Sequence, residues 1–333
     1  MDTQSLALTV TDASQVGAAR RAVVTLAERL GCSETIGGKV ALVVTELATN
    51  LVRHAGGGEL LVRAMAGPTI GLEIVAVDSG PGMASVEQAF RDGYSTGGTN
   101  GTGLGAVRRM ADGCDIFSAP GAGTAVLARI ELDARVRRPG PSVSGVSVAQ
   151  AGEEVCGDGW AWSAAGDHWS VLVADGLGHG PAAALASAEA LRVFREHPGI
   201  APAELLGLAH SALRPTRGAA IGLAEIWPGR RELTYTGIGN IGGAILTAGS
   251  LRSLVSHAGI VGHECRKIQS FSYPWSEASV LVLYSDGLQS RWTLDRYPAL
   301  AARDPALLAA VLYRDFSRRR DDVTVVVGRE AAA

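Results

Sequence analysis

The chain has 333 residues, which is enough for two domains that each bury a core. Its net charge of −3 and pI near 6.2 exclude broad nucleic-acid binding, which requires a basic surface. No apolar run approaches the roughly 20 residues of a membrane span, and the N-terminus lacks a basic signal-peptide start. Four scattered cysteines without a CxxC pair indicate reduced thiols, so we expect a cytoplasmic protein that does not engage a membrane.

Apolar periodicity divides the first half of the chain into predicted helices and strands. Apolar residues spaced three and four apart predict a helix over residues 13–30 and a second over residues 34–54. The runs ELLVRAMA and GLEIVAVD follow as two strands joined at a Gly67-Pro68 turn. Two further helices and one strand are expected before residue 134.

A basic stretch rich in proline, glycine and serine, ARVRRPGPSVSG, separates this half from a region that holds all six tryptophans. We therefore predict a first domain over residues 1–137, a linker over 138–145 and a second domain over 146–333. Strands interspersed with helices are expected in the second domain. The predicted strands cover residues 169–175, 220–227, 231–239 and 279–286, and the predicted helices cover 181–196, 202–213 and 304–313.

Two polar side chains interrupt the apolar pattern of the second predicted helix. Glu46 and Asn50 are four residues apart and therefore share one helical face. Leaving such groups buried and unpartnered would cost about 1–3 kcal/mol each, and an exposed stripe on an amphipathic helix is the plain alternative. Two glycine-rich segments favour a binding site: DSGPGM follows a strand, and TNGTGLGAVRRM opens a helix whose N-terminal amides favour phosphate.

The ordered segments ELATN, DSGPGM and GTGLG resemble the N, G1 and G2 boxes of the GHKL ATP-binding superfamily, whose domain is the Bergerat α/β sandwich. The stretch from Gly93 to Met110 is similar to the anti-sigma and switch serine kinases of bacterial stress pathways. The resemblance implies ATP and Mg²⁺ as cofactors, with Glu46 activating the attacking serine hydroxyl and Asn50 holding Mg²⁺. It further implies that Asp78 reads the adenine amino group and that Gly80 and Gly82 shape its pocket. The phosphate loop would consist of Gly101, Gly103 and Gly105.

Four aspartates of the second half lie beside predicted strands. Asp175 ends the run VLVAD, Asp286 ends VLVLYSD, and Asp321 precedes VTVVV, while Asp158 lies in CGDGW. Glycines follow Asp175 and Asp286, so tight turns can direct both carboxylates toward one point. Carboxylates and backbone carbonyls suit Mg²⁺ or Mn²⁺. One isolated Asp-Gly pair is usually a plain turn, but the ordered set predicts a metal centre.

The segments CGDGW, ADGLGHG, GIGNIGG, YSDGLQS and RRDDVTVVV occur in the order found in metal-dependent PPM-type protein serine/threonine phosphatases. They most resemble the bacterial branch that acts in sporulation and stress signalling. The resemblance implies a β-sandwich flanked by helices that holds two Mn²⁺ or Mg²⁺ ions. The implied ligands are Asp175 as the bridge, the carbonyl of Gly176, Asp286 and Asp321 at one metal, and Asp158 at the other, directly or through water. Asp322 is expected beside the site, with a one-residue slip against Asp321 left open.

The two resemblances together imply an α/β protein of two domains that acts in bacterial signalling. The first domain would phosphorylate a serine or threonine of a STAS-domain regulator, such as an anti-sigma-factor antagonist or a stressosome-like protein, and the second would remove such a phosphate. The alternative is a phosphatase governed by a GHKL module that senses nucleotide or binds a partner without kinase chemistry. A metabolic phosphatase with an accessory domain is a third reading, and no nucleic acid or membrane partner is expected.

Overall fold

The computed structural model describes residues 4–65, 70–86, 103–132, 140–247 and 250–331. The chain divides into two compact units. The first comprises Met1–Arg138 together with Thr293–Arg314, and the second comprises Pro139–Trp292 together with Asp315–Ala333. Residues 293–314, which fall within the second domain predicted from the sequence, therefore lie in the first unit.

The first unit is built on a five-stranded antiparallel sheet whose strand order is β1-β2-β3-β5-β4. The strands are β1 Leu6–Val10, β2 Gly58–Met65, β3 Gly71–Asp78, β4 Gly113–Ser118 and β5 Thr124–Glu131. Helices α1 Ala13–Arg29, α2 Glu34–Ala55 and α3 Gly103–Met110 pack on one face of this sheet. The result is a layer of helices on a layer of strands.

Alternation along the strands decides which side chains enter this core. Leu72 and Ile74 of β3 are fully buried beside the helices, whereas Glu73 between them faces the opposite side of the sheet. Local signals set the helix ends: Asp12 forms a capping box with Gln15 at the start of α1. The start of α1 therefore follows from the sequence at that point.

Helix α2 is 22 residues long and contains an 18-residue window of mean hydropathy 1.2, so by length and composition alone it could cross a membrane. The sequence prediction considered only uninterrupted apolar runs, and Glu34, Lys39 and Glu46 interrupt this one. Six residues of α2 are buried, and all six belong to the core cluster that includes the sheet. The apolar character of α2 is therefore accounted for by this core.

The second unit is a sandwich of two five-stranded sheets with the strand orders β13-β10-β9-β8-β7 and β12-β11-β14-β15-β6. Its helices are α4 Pro181–Glu196 and α5 Pro202–Ala212. The strands are β6 Ser142–Val148, β7 Asp158–Ala165, β8 His168–Gly176, β9 Ala219–Trp227, β10 Glu232–Ile238, β11 Gly242–Thr247, β12 Ser250–Ser253, β13 Phe271–Pro274, β14 Val280–Tyr284 and β15 Val323–Arg329.

Two cores hold the second unit together. One lies between the sheets, where Trp160 and Val171 of the first sheet pack with Leu283 and Val326 of the second. The other lies between the first sheet and helices α4 and α5. The predicted fold class, an α/β sandwich followed by a β-sandwich flanked by helices, is confirmed.

The last helix, α6 Pro305–Phe316, belongs for most of its length to the first unit. Every residue from Pro305 to Tyr313 is buried. The sequence predicted this helix over 304–313 but did not indicate where it packs, because a helix that is apolar on all sides has no preferred face.

Candidate nucleotide and metal sites

The Glu46 and Asn50 side chains of α2 meet the first residue of α3. A Cβ atom built on Gly103 would lie 3.1 Å from Oε2 of Glu46 and 3.5 Å from Oδ1 of Asn50, so both side chains approach the backbone of Gly103 closely. Nδ2 of Asn50 is buried and has no hydrogen-bond partner among the described residues. Because a buried amide without a partner is costly, the position fits a group that binds a ligand.

Asp78 lies at the end of β3, where two backbone amides hold its carboxylate. Oδ1 of Asp78 accepts hydrogen bonds from the amide of Gly80 at 2.9 Å and from that of Thr124 at 3.2 Å. Burial raises the pKa of Asp78, and these two amides and the charge of Arg314 oppose that rise. The side chain is therefore oriented by one amide just after β3 and one at the start of β5.

The glycines of the predicted pocket show close backbone approaches. A Cβ on Gly80 would lie 2.8 Å from Ala55 of α2, and a Cβ on Gly82, whose φ is +70°, would lie 2.0 Å from the carbonyl oxygen of Ala119. Gly105 is buried in α3. Gly101, the first glycine of the predicted phosphate loop, lies outside the described residues.

In the second unit, Asp158 and Asp175 face each other across the antiparallel pair β7 and β8, at the same rim of the sheet. Gly176 then turns the chain against helix α4, since a Cβ there would lie 2.0 Å from the carbonyl oxygen of Ala183. Asp286 follows β14 and Asp321 precedes β15, its partner strand. Strand pairing thus gathers residues that are far apart in sequence.

Burial and mutual repulsion raise the pKa of three of these carboxylates. Burial raises the pKa of Asp175, and the charges of Asp158, Asp286, Asp321 and Asp322 raise it further. Burial also raises the pKa of Asp158 and of Asp286. Carboxylates gathered with so little compensating positive charge favour a cation.

Three of these carboxylates are also held by a neighbouring donor. Oδ2 of Asp158 accepts from the Ser285 hydroxyl at 2.6 Å, Oδ2 of Asp286 accepts from Asn240 at 2.7 Å, and Oδ1 of Asp321 accepts from the amide of Asp322 at 2.9 Å. With the side chains in these positions, the described residues contain no group of three His, Cys, Asp or Glu side chains arranged to hold one metal ion. The residue types fit a divalent cation.

Asp322 is engaged differently from Asp321. Its carboxylate, only 3% exposed, accepts from the amides of Gln150 at 2.8 Å and Gly157 at 2.9 Å. It therefore fastens the loop before β7 to the start of β15. Asp321 keeps the freer carboxylate, although its role as a ligand stays a prediction.

Sequence reasoning missed several residues that shape the two sites. Ser285 is fully buried between Asp158 and the amide of Thr324, which donates to its hydroxyl at 2.9 Å. Gly123 and Thr124 begin β5 against Asp78. The only available signals were a serine directly before Asp286 and the glycines of PGAGT, and both patterns are common in ordinary turns.

His179, which follows Asp175 in the same glycine-rich segment, is paired with an acidic residue. Nδ1 of His179 lies 2.6 Å from Oε1 of Glu153, and a bulkier residue at Gly180 would collide with Glu153. The His179 side chain is 56% exposed. It therefore belongs to the surface of the loop and not to the packed interior.

Two family models match the chain, one on each motif set. The model described as a histidine kinase-like ATPase domain matches residues 9–130, and the model described as stage II sporulation protein E (SpoIIE) matches residues 165–329. The serine/threonine-protein kinase RsbT of Bacillus subtilis (strain 168) is 34% identical over 112 residues, which are 33% of this chain and 84% of RsbT.

The second half has its own relatives. The phosphoserine phosphatase RsbX of Bacillus subtilis (strain 168) is 23% identical over 180 residues, 54% of this chain and 89% of RsbX. A crystal structure of RsbX with magnesium superposes with a TM-score of 0.51 at 19% identity, over 59% of this chain and 98% of that one. A chain from a structural study of the bacterial stressosome superposes with a TM-score of 0.53 at 27% identity, over 57% of this chain and 99% of that one.

Proposed function

The chain belongs to the RsbT-like kinases through its histidine kinase-like ATPase domain and to the SpoIIE-type phosphatases through its second domain, and on that premise we propose a bifunctional switch protein. The second domain is a serine/threonine phosphatase of the PPM type. We propose that it needs Mn²⁺ or Mg²⁺ and acts on the phosphoserine or phosphothreonine of a STAS-type regulator. The first domain would phosphorylate such a regulator from ATP.

The gathering of Asp158, Asp175, Asp286 and Asp321 at one rim of the sandwich is the observation that carries the phosphatase proposal. In this proposal Asp175, Asp286 and Asp321, with the Gly176 carbonyl, hold the cations, and Asp158 serves the second of them. Bound divalent cations would supply hydroxide from water near neutral pH and neutralise phosphate oxygens.

The chain's own residues fix the orientation of these carboxylates. The Ser285 hydroxyl donates a hydrogen bond to Asp158, and the Asn240 side-chain amide donates one to Asp286, so both carboxylates are held in place. Such partners restrict the rotation of the two side chains, as hydrogen-bonding neighbours of metal ligands do in proteins. The phosphorylated side chain of the substrate would meet this rim from the solvent side, where Asp286 is partly exposed and Asp321 is exposed.

The proposal for the first domain rests on Glu46 and Asn50 beside Gly103. Glu46 would activate the attacking hydroxyl or orient its proton, and the side-chain oxygen of Asn50 would hold the Mg²⁺ that accompanies ATP. Asp78, held by two amides, would receive a hydrogen bond from the adenine amino group. ATP would supply the phosphoryl group.

The relatives support a partner-switching context. RsbT is named as a kinase and RsbX as a phosphoserine phosphatase, and the third neighbour comes from work on the stressosome. A chain that joins both kinds of domain would set the phosphorylation level of its partner by two opposed activities. A cytoplasmic location is part of this proposal.

The first experiment separates the two activities with Asp175→Asn, which keeps the side-chain size and removes the carboxylate charge. The variant is incubated with γ-labelled ATP, Mg²⁺ and STAS proteins encoded near the gene. Label should accumulate on the partner and disappear when wild-type protein and Mn²⁺ are added. Asp167→Asn is the matched control, because Asp167 lies on the β7–β8 turn with its side chain 77% exposed.

The alternative, a nucleotide-sensing module without kinase chemistry, is tested with Glu46→Gln. We expect this variant to bind ATP and partner but to transfer no label, while the control Glu34→Gln at the exposed start of α2 transfers label normally. Undiminished transfer by Glu46→Gln would remove Glu46 as the base. Absence of transfer by Asp175→Asn despite ATP binding would favour the sensing module.

A further inference from the structure

Residues 293–314, here called the docking segment, contact the face of the first sheet that lies opposite its helices. Two carboxylate–guanidinium bonds of 2.6 and 2.7 Å join Asp304 to Arg129 of β5. The amide of Asp304 donates to Asp115 of β4 at 2.9 Å, and Tyr297 packs edge-on against Phe117 with ring centroids 6.2 Å apart. These anchors lie on two neighbouring strands, so the segment is fixed along the sheet and not at a single point.

The anchoring pair is part of a larger buried charge network. Glu73 is only 3% exposed and accepts from Arg129 and from Arg63, its neighbours on the two adjacent strands. Asp304 of the docking segment adds a second carboxylate to this network through Arg129. The docking segment is thus joined to the buried charges of the sheet face.

The segment ends at the candidate nucleotide site. Arg314 donates from Nη1 to the backbone carbonyl of Asp78 and from Nη2 to that of Ala122 at 2.9 Å. Gly123, whose φ is +69°, makes this approach possible, because a Cβ there would lie 2.0 Å from the Asp78 carbonyl and 2.7 Å from Arg314. One guanidinium therefore ties the end of β3 to the turn before β5.

We propose that Arg314 is a positioning residue for nucleotide recognition, so that the ATP site of the first domain depends on a segment encoded within the phosphatase half of the chain. Its two hydrogen bonds hold together the strand ends whose amides orient the Asp78 carboxylate. β3 and β5 stay paired at Asp78 and Thr124 without them, but the turn at Ala122 loses its link to the Asp78 backbone, and the carboxylate is held less firmly in the position that distinguishes an adenine amino group from a guanine carbonyl. This inference rests on the role of Asp78 in the proposed function.

In the sequence, the docking segment lies between two candidate metal ligands of the phosphatase. Asp286 precedes the segment by seven residues and Asp321 follows it by seven. The chain that supports the nucleotide pocket is thus continuous, on both sides, with candidate metal ligands of the phosphatase.

The test measures the affinities of fluorescent ATP and GTP analogues for the full chain and for Arg314→Ala. We expect Arg314→Ala to weaken ATP binding by about tenfold, the equivalent of one charge-assisted hydrogen bond, and to change GTP binding little. Arg303→Ala is the matched control, because Arg303 belongs to the same segment but pairs with Asp115 at 3.4 Å, away from the Asp78 turn. Arg314→Lys, which can reach one carbonyl, should recover part of the ATP preference.

Other outcomes are equally informative. Equal losses for both nucleotides, or a loss matched by Arg303→Ala, would mean that the segment only stabilises the unit and would overturn the positioning role. An unchanged ATP-to-GTP ratio in Arg314→Ala would overturn it as well. Failure of the wild-type chain to bind ATP would instead refute the proposed function of the first domain, and the inference would fall with it.

Discussion

Replacing Ser285 with alanine should destabilise the second unit measurably, although serine and alanine differ by one oxygen atom. The Ser285 hydroxyl is fully buried, donates to the Asp158 carboxylate at 2.6 Å and accepts from the amide of Thr324 at 2.9 Å. A hydrogen bond to a charged group is worth about 1.5–3 kcal/mol and a neutral one about 0.5–1.5 kcal/mol. Because water cannot replace the missing hydroxyl at a fully buried position, we expect the free energy of unfolding to fall by about 2–4 kcal/mol.

Urea unfolding followed by tryptophan fluorescence is the suitable assay, because all six tryptophans of the chain lie in the second unit. The control is Ser290→Ala at an exposed position five residues later, which should change stability by less than about 0.5 kcal/mol. If Ser285→Ala unfolds at the same urea concentration as this control, the reasoning from buried bonds is wrong. Calorimetric titration with Mn²⁺ then tests the proposed metal role, for which we expect affinity to fall by about 10–100-fold.

Three further predictions concern the first unit. Gly82→Ala should lower the thermal unfolding temperature far more than Gly121→Ala. Both glycines have φ near +70°, but only a Cβ on Gly82 would collide with backbone, at 2.0 Å from the carbonyl oxygen of Ala119. Equal decreases in unfolding temperature would contradict this clash. Asp304→Ala should lower the free energy of unfolding by about 1–3 kcal/mol, because it removes two charged hydrogen bonds to Arg129. An unchanged free energy in chemical denaturation would show that this ion pair adds nothing to stability. Burial raises the pKa of Cys114 to about 11. Its alkylation by iodoacetamide, measured by mass spectrometry, should therefore be slow at pH 8 and accelerate as the pH approaches 11. Rapid labelling at pH 8 would refute the raised pKa.

Sequence periodicity was sufficient for the long helices of both units. The helix predicted over 34–54 is observed as Glu34–Ala55, and that over 181–196 as Pro181–Glu196, because apolar spacing and capping residues act within a few turns of chain. Short strands were harder to recognise. Strand β1, Leu6–Val10, was missed because five residues with one buried side chain carry too weak an alternation.

The amino-acid sequence by itself determined which residue types the two candidate sites contain, since Glu46 and Asn50 share a helical face and the aspartates follow or precede apolar strands. Only the tertiary structure decided which residues orient them. Ser285 meets Asp158 across 127 residues of sequence, and Arg314 meets Asp78 across 236. Such contacts depend on strand register and on where a uniformly apolar helix packs. Strand register and helix packing cannot be predicted from the spacing of nearby residues, because both depend on which surfaces are buried in the complete fold.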